Sequence, residues 1–256
     1  MFTYTFADSQ RGHTLNDFLK IKDVLHRKYS LNSEIIDLIQ ASNVENFLLE
    51  GTGRPPEAYV LKVPGFLHCI APEFTQHDVI DQLSQLPWDK KYYDTRRKKV
   101  LNKIARSNNV VADFTQEPCY EEGKGTVLAF SQAPLFLTEL REEFTSWGES
   151  FNNLIAEGNY YHTPGKTGIG WHGDAERNKV VAVRMCSPEV TCDPIKFQWF
   201  MRSRGLGNIV EIPLEHGDLY VMSEKAVGSD WKRSSIYTLR HATGADKYVK
   251  PKLQWN

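Results

Sequence analysis

At 256 residues, with 41% hydrophobic and 25% charged side chains, the chain has the composition of an ordinary globular protein and the length for one sizeable core. A formal net charge of −1 excludes a protein whose overall field would by itself announce a nucleic-acid partner. No apolar run approaches the ~18 residues of a membrane span, the start lacks the basic and apolar regions of a secretion signal, and four scattered cysteines without a CxxC argue against a zinc ribbon or disulfide scaffold and for a reducing, intracellular setting.

The first half reads as helical and mixed. TLNDFLKIKDVLHRKYS and NSEIIDLIQASNVENFLLEG carry apolar residues at three- and four-residue spacing, the second preceded by Ser30 and Asn32 as candidate caps and followed by Gly51 as a stop. GTGRPPEAY then reads as a linker, so the expected division is an N-terminal helical extension over 1–55 and a second unit over 56–256. VLKVPGFL predicts a short strand or turn, and PEFTQHDVIDQLSQLPW a helix. Between Lys90 and Arg106 the segment KKYYDTRRKKVLNKIAR gathers eight basic residues and two tyrosines. It reads either as a solvated helix face or as a patch that tracks a phosphate backbone. LFLTELREEFTSWG predicts one more helix. Beyond about residue 125, TVLAF, KVVAVRM, IKFQWFM, NIVEIPL, DLYVMS and SIYTLRHA are short runs rich in Val, Ile, Tyr and Phe, separated by Gly, Pro, Asp and Ser. This pattern predicts an α+β protein with a sandwich, jelly roll or barrel in its second half. Within it, alternation buries Phe197 and Trp199 together.

The sharpest signal is GIGWHGDAE. His172 and Asp174 stand two apart, so on an extended strand both leave the same face and can reach one ion. A third ligand some tens of residues later would complete a two-histidine, one-carboxylate set, which leaves coordination positions open for reactants. Two histidines qualify: His241 in YTLRHATG, on a strand whose alternation turns it inward, and His216 in LEHGDLYVM, at a turn entering a strand. The strand position favours His241.

FNNLIAEGNYYHTPGKTGIGWHGDAE, with its FN pair, N-x-Y element, glycine turn and I-G-x-H-x-D-x-E, resembles the AlkB-like iron(II)- and 2-oxoglutarate-dependent oxygenases. VPGFL before a helix ending in LPW, the later FQWF and the GD-containing strand HGDLYVMS extend the likeness over roughly residues 60 to 245. The resemblance implies a double-stranded β-helix, a jelly-roll variant, with iron(II) on His172, Asp174 and His241. It also implies 2-oxoglutarate bound by Asn159 and Tyr161, with Tyr160 as the alternative because one extra residue separates this element from the H-x-D. Glu176 falls where the family places an acid that contacts a substrate base. Trp88, Tyr92, Tyr93, Arg96 and Arg97 precede the catalytic core, where such enzymes carry nucleotide-recognition elements. One departure stands out. The family's R-x-N-x-T-F-R strand has no counterpart, because no arginine follows His241. The expected cosubstrate cation is therefore Lys250, or Arg233 and Arg240 in a competing register that breaks the triad.

The activity implied is dioxygen-dependent hydroxylation or demethylation of a modified nucleobase in DNA or RNA, with 2-oxoglutarate as cosubstrate and no membrane association. The same chemistry on a protein side chain or small molecule, and a non-catalytic binding module on an oxygenase scaffold, are the alternatives. A zinc hydrolase using the same three ligands stands behind both.

Overall fold

The computed structural model describes residues 1–52 and 56–250. It is a mixed α+β fold, mostly sheet, with no closed barrel among the described residues. Its strands in chain order are β1 (Phe2–Asp8), β2 (Glu34–Asp37), β3 (Tyr59–Val63), β4 (Lys91–Asp94), β5 (Lys99–Asn102), β6 (Ser107–Ala112), β7 (Val127–Ala129) and β8 (Ile155–Tyr160). They continue with β9 (Gly168–His172), β10 (Lys179–Met185), β11 (Ile195–Met201), β12 (Arg204–Ile212), β13 (Leu219–Met222) and β14 (Tyr237–Gly244). The helices are α1 (Leu15–Tyr29), α2 (Leu38–Ser42), α3 (Glu45–Thr52), α4 (Phe66–Ile70), α5 (Gln76–Ser84), α6 (Leu135–Thr145), α7 (Glu224–Val227) and α8 (Asp246–Val249).

An eight-stranded sheet runs β2-β3-β13-β10-β1-β8-β6-β7, antiparallel except for the β6–β7 pair, and a four-stranded antiparallel sheet runs β12-β11-β14-β9. β4 and β5 form a separate hairpin. The eight-stranded sheet has two differently clothed faces, because side chains alternate along each strand. On one face Phe2, Tyr4, Phe6, Val181, Val183, Leu219 and Val221 pack with residues of α1, α4, α5 and α6 in a single apolar core. On the other face Val180, Ala182, Tyr220 and Met222 pack with Phe197, Trp199, Ile212 and Leu239 of the smaller sheet.

The first strand departs from the expected division of the chain. β1 lies between β8 and β10, with Phe2 opposite both Met185 and Tyr160, so residues 1–55 are not a separate helical extension. FTYTFAD alternates aromatic and hydroxyl side chains, which suits a strand with one apolar face and one polar face. The stretch expected as a second helix is also different. Ile35 and Ile36 pair with Leu61 and Val60, and the helices α2 and α3 follow only after Asp37, whose carboxylate caps α2 by accepting from the Ile39 and Gln40 N–H groups. β-branched residues beside an apolar edge favour pairing over a helical turn. The basic segment after Trp88 is a hairpin, not a helix face. Asp94 accepts the backbone N–H of Arg96 and Arg97, which turns the chain after β4. Helix α1 begins where the sequence places it and α5 occupies only the middle of its expected stretch, each opened by a capping box, Thr14 with Asp17 and Thr75 with Asp78. The linker residues 53–55 lie outside the described residues. Cys186 and Cys192 are joined in a disulfide that closes the loop between β10 and β11, whereas the sequence argues for a reducing setting.

Two stability measurements follow. Phe6→Ala removes a fully buried ring that meets Phe144 edge-on, and should cost about 3–5 kcal/mol in chemical denaturation, while Ile104→Ala on the exposed surface should cost almost nothing. His13 stacks on Phe151, and burial, helped by Lys179, pushes it down to about 3. The unfolded chain therefore takes up this proton first. Stability is complete above about pH 6.5 and falls toward pH 3 with a slope approaching ~1.4 kcal/mol per pH unit for this group. His13→Phe should flatten that slope by about one proton in pH-dependent denaturation.

Candidate metal centre and its pocket

His172 closes β9, and Asp174 follows after a single glycine. Gly173 is there for a steric reason. A side-chain carbon on it would sit 2.1 Å from the Gly228 carbonyl oxygen, so only glycine lets these two backbone segments touch. Asp174 is then fixed by its N–H, which donates to the Val227 carbonyl at the end of α7 (3.0 Å). From the neighbouring strand β14, His241 stands directly opposite His172, with ring centroids 4.4 Å apart.

The three side chains offer ligand atoms that all lie within 4.8 Å of one another, and so could hold a metal ion. The His172 Nδ1–H donates to the Gly170 carbonyl at 2.7 Å and to the His241 carbonyl at 3.1 Å. That leaves Nε2 as the free lone pair, 3.8 Å from an Asp174 oxygen. Burial, reinforced by His241, pushes His172 down to about 3, so it is neutral at ordinary pH. Burial alone would raise the Asp174 carboxyl, but His241, Arg177, His172 and Arg106 outweigh it and hold the group below its usual value. Two neutral imidazoles and one carboxylate are the protonation states a divalent cation requires.

The triad opens into a cavity of about 180 Å³ lined by polar residues from both sheets, among them Arg106, Glu157, Asn159, Tyr161, Arg177, Arg184, Thr3 and Thr5. A chain of contacts crosses it. The Arg106 Nε–H donates to Asn159 Oδ1, Asn159 Nδ2 donates to Glu157 Oε1 at 3.3 Å, and Glu157 pairs with Arg177, which sits 3.9 Å from Asp174. Asn159 and Tyr161 thus line the pocket, where the resemblance expects them, whereas Tyr160 faces the opposite way and stacks on Phe2 at 4.2 Å.

Other expected residues lie elsewhere. Lys250 is exposed and contributes only its carbonyl, which accepts the Trp171 indole N–H. Arg240 points out of the smaller sheet, packs on Phe200 and Trp231, and donates to the Arg202 carbonyl. Alternation along β14 explains it, since the residue beside an inward His241 must face outward. His216 is held by the Cys186 backbone near His68 and is not part of the triad. Glu176 is exposed and lines a separate shallow cleft that shares Glu157 and Arg177 with the metal pocket. Trp88 is committed to packing, with its ring against Phe2, Tyr4 and Tyr160 and its N–H on the Leu83 carbonyl. Of the hairpin residues, Tyr92 and Arg97 line a cleft of about 620 Å³ that shares Arg106 with the metal pocket, whereas Tyr93 is half-buried and Arg96 is exposed on the turn. Arg106, Arg177 and Arg184 are the pocket cations that sequence reasoning missed. Arg184 could have been found from KVVAVRM, where a charge inside a buried strand is the anomaly.

No described protein family's sequence profile matches the chain. It is 39% identical over 248 residues to a protein of Acanthamoeba polyphaga mimivirus described as Uncharacterized protein R156, an alignment that covers 94% of this chain and 89% of the viral protein. The chain belongs to the R156 family. The alignment therefore extends over nearly the whole of both sequences.

The triad sets a direct expectation for metal titration. Manganese(II) or iron(II) should bind the protein one to one, His241→Ala should weaken binding by at least about 100-fold, beyond the loss usual for an outer partner, and His216→Ala should leave it unchanged. Calorimetry under anaerobic conditions reads all three.

Proposed function

We propose that the chain is an iron(II)- and 2-oxoglutarate-dependent oxygenase of the AlkB-like kind, acting on a modified base in DNA or RNA. The observation that carries this reading is the convergence of His172, Asp174 and His241 at the mouth of a small, cation-rich cavity. Two histidines and one carboxylate leave open positions at a metal, unlike a closed structural site. When bound, iron(II) with 2-oxoglutarate and dioxygen supplies the oxidising power for C–H hydroxylation, and the cosubstrate leaves as succinate and carbon dioxide.

The protein's own part is orientation and charge. His172 is locked by its two carbonyl acceptors so that Nε2 meets the metal. Arg177, braced by Glu157, keeps Asp174 ionised and limits its rotation. Asn159 and the Tyr161 phenol stand over the same space to hydrogen-bond the cosubstrate. Three arginines against two carboxylates line the pocket, so with a divalent metal it favours a dianion.

Support for the jelly-roll reading comes from the two facing sheets, in which β8, β1, β10 and β13 oppose β9, β14, β11 and β12. In that reading β1 occupies the central place that a strand after β14 would otherwise take. This accounts for the missing arginine strand of the family: among the described residues only the short helix α8 follows β14.

A nucleic-acid substrate is favoured over a protein or small molecule by the hairpin. Lys91, Arg96, Arg97, Lys98 and Lys99 are exposed on it, and its cleft meets the metal pocket at Arg106. Such a patch would hold the phosphate backbone while Tyr92 stacks on a base.

Succinate formation tests the reading. Purified protein with iron(II), ascorbate and 2-oxoglutarate should turn over, His172→Ala and His241→Ala should fall to background, and methylated oligonucleotides should stimulate the wild type. Tyr92→Ala should weaken oligonucleotide binding by roughly 10-fold. Turnover that no oligonucleotide affects would point instead to a protein or small-molecule substrate.

A further inference from the structure

The polar face of the eight-stranded sheet carries an unmet requirement away from the triad. Arg184, at the centre of β10, is completely buried. Its guanidinium donates to the Met1 sulfur at 3.1 Å and to Thr243 Oγ1 at 3.3 Å, and its Nε–H has no partner. A thioether is a weak acceptor for a cation, and among the described residues no carboxylate pairs with Arg184. Directly opposite on β1 stands Thr3, whose hydroxyl is likewise buried and unpartnered. The register of β1 with β8 places Asn159 on the other side of Thr3. Burying an arginine without a counter-charge is costly unless something completes it.

That something must be small and anionic. Arg184, Thr3 and Asn159 line the same cavity as His172, Asp174 and His241, and about 180 Å³ admits a short acid but not a nucleotide. Thr243, which holds the guanidinium, lies two residues beyond His241 on the same face of β14. One strand therefore carries both a metal ligand and the arginine's anchor. We propose that Arg184, with Thr3, is the seat for the carboxylate of 2-oxoglutarate that points away from the metal. The assignment rests on the oxygenase reading and replaces Lys250, which is exposed, and Arg240, which packs on the outer side of the smaller sheet.

In this seat Arg184 contributes a charge-assisted hydrogen bond and the counter-charge, and Thr3 donates its hydroxyl. The Thr243 hydroxyl, which donates to the Pro194 carbonyl at 2.7 Å, fixes the guanidinium from behind. The acid would therefore enter a pre-set site and pay little reorganisation.

The test is calorimetric and independent of turnover. Manganese(II) is titrated first into the full chain and each variant, and then 2-oxoglutarate and, separately, 2-oxobutanoate, which lacks the second carboxylate. The wild type should bind 2-oxoglutarate far more tightly than 2-oxobutanoate. Arg184→Gln should weaken 2-oxoglutarate by roughly 10- to 100-fold while manganese and 2-oxobutanoate bind as before, so the preference collapses. Thr3→Val should weaken it several-fold, and Arg240→Gln and Lys250→Gln should not change it. Unaltered 2-oxoglutarate affinity in Arg184→Gln would overturn the seat and leave the oxygenase reading standing. Equal loss of both acids would overturn it too, as a general disturbance of the pocket. A wild type that takes neither manganese nor 2-oxoglutarate would overturn the seat and the reading together. Should Arg184→Gln not fold, Thr3→Val decides, because it alters neither volume nor charge, and an unchanged affinity there overturns the proposal.

Discussion

A single strand with two incompatible faces, inserted at the middle of the larger sheet, is the constraint on which the other features rest. Phe2, Tyr4 and Phe6 of β1 bury three rings against the helices, while Thr3 and Thr5, one residue out of phase, face the pocket. A slip of one residue would put the rings in the cavity and the hydroxyls in the core. Because β8 and β10 are each registered on β1, the positions of Asn159 and Arg184 are inherited from it. The smaller sheet brings the histidines, and β1 decides what they look out on.

The pocket's electrostatics show why so many charges can share so little space. Arg177, Glu157, Asn159 and Arg106 form an alternating series of donors and acceptors, so each guanidinium has a neutralising or hydrogen-bonding neighbour. Such a series holds its members more rigidly than separate pairs would. Asp174 sits at one end of it and is consequently anionic before any cation arrives. Arg184 stands outside the series, with the Met1 sulfur and the Thr243 hydroxyl as its acceptors and no carboxylate paired with it among the described residues.

Much of the site was legible in the sequence because its parts are local. His172 and Asp174 are read from a two-residue spacing and His241 from alternation within one strand, whereas Asn159 and Tyr161 came only from the family resemblance. The strands of the second half, IKFQWFM above all, were visible from their composition and coincide with β11 residue for residue. What failed depended on distant partners. FTYTFAD reads as an unremarkable start until β8 and β10 flank it. NSEIID carries helical spacing, and only the apolar edge of β3 pulls Ile35 and Ile36 into a strand. The cavity's arginines depend on distant partners in the same way: Arg184 reaches it from β10 and donates to Thr243, 59 residues later on β14. Trp88 was drawn into the basic patch by adjacency, although its ring belongs to the aromatic core beneath.

The central placement of β1 also bears on how the molecule comes to exist. Its neighbours, Ile155–Tyr160 and Lys179–Met185, belong to the second half of the chain, so the strand that organises the larger sheet precedes both of its partners during synthesis. Until they emerge, three aromatic rings have only α1 and the nearby helices to shelter them. Contacts so remote in sequence slow folding, because the loop must close before the contacts repay it. Until then the strand's unpaired edges and apolar face are open to wrong pairing.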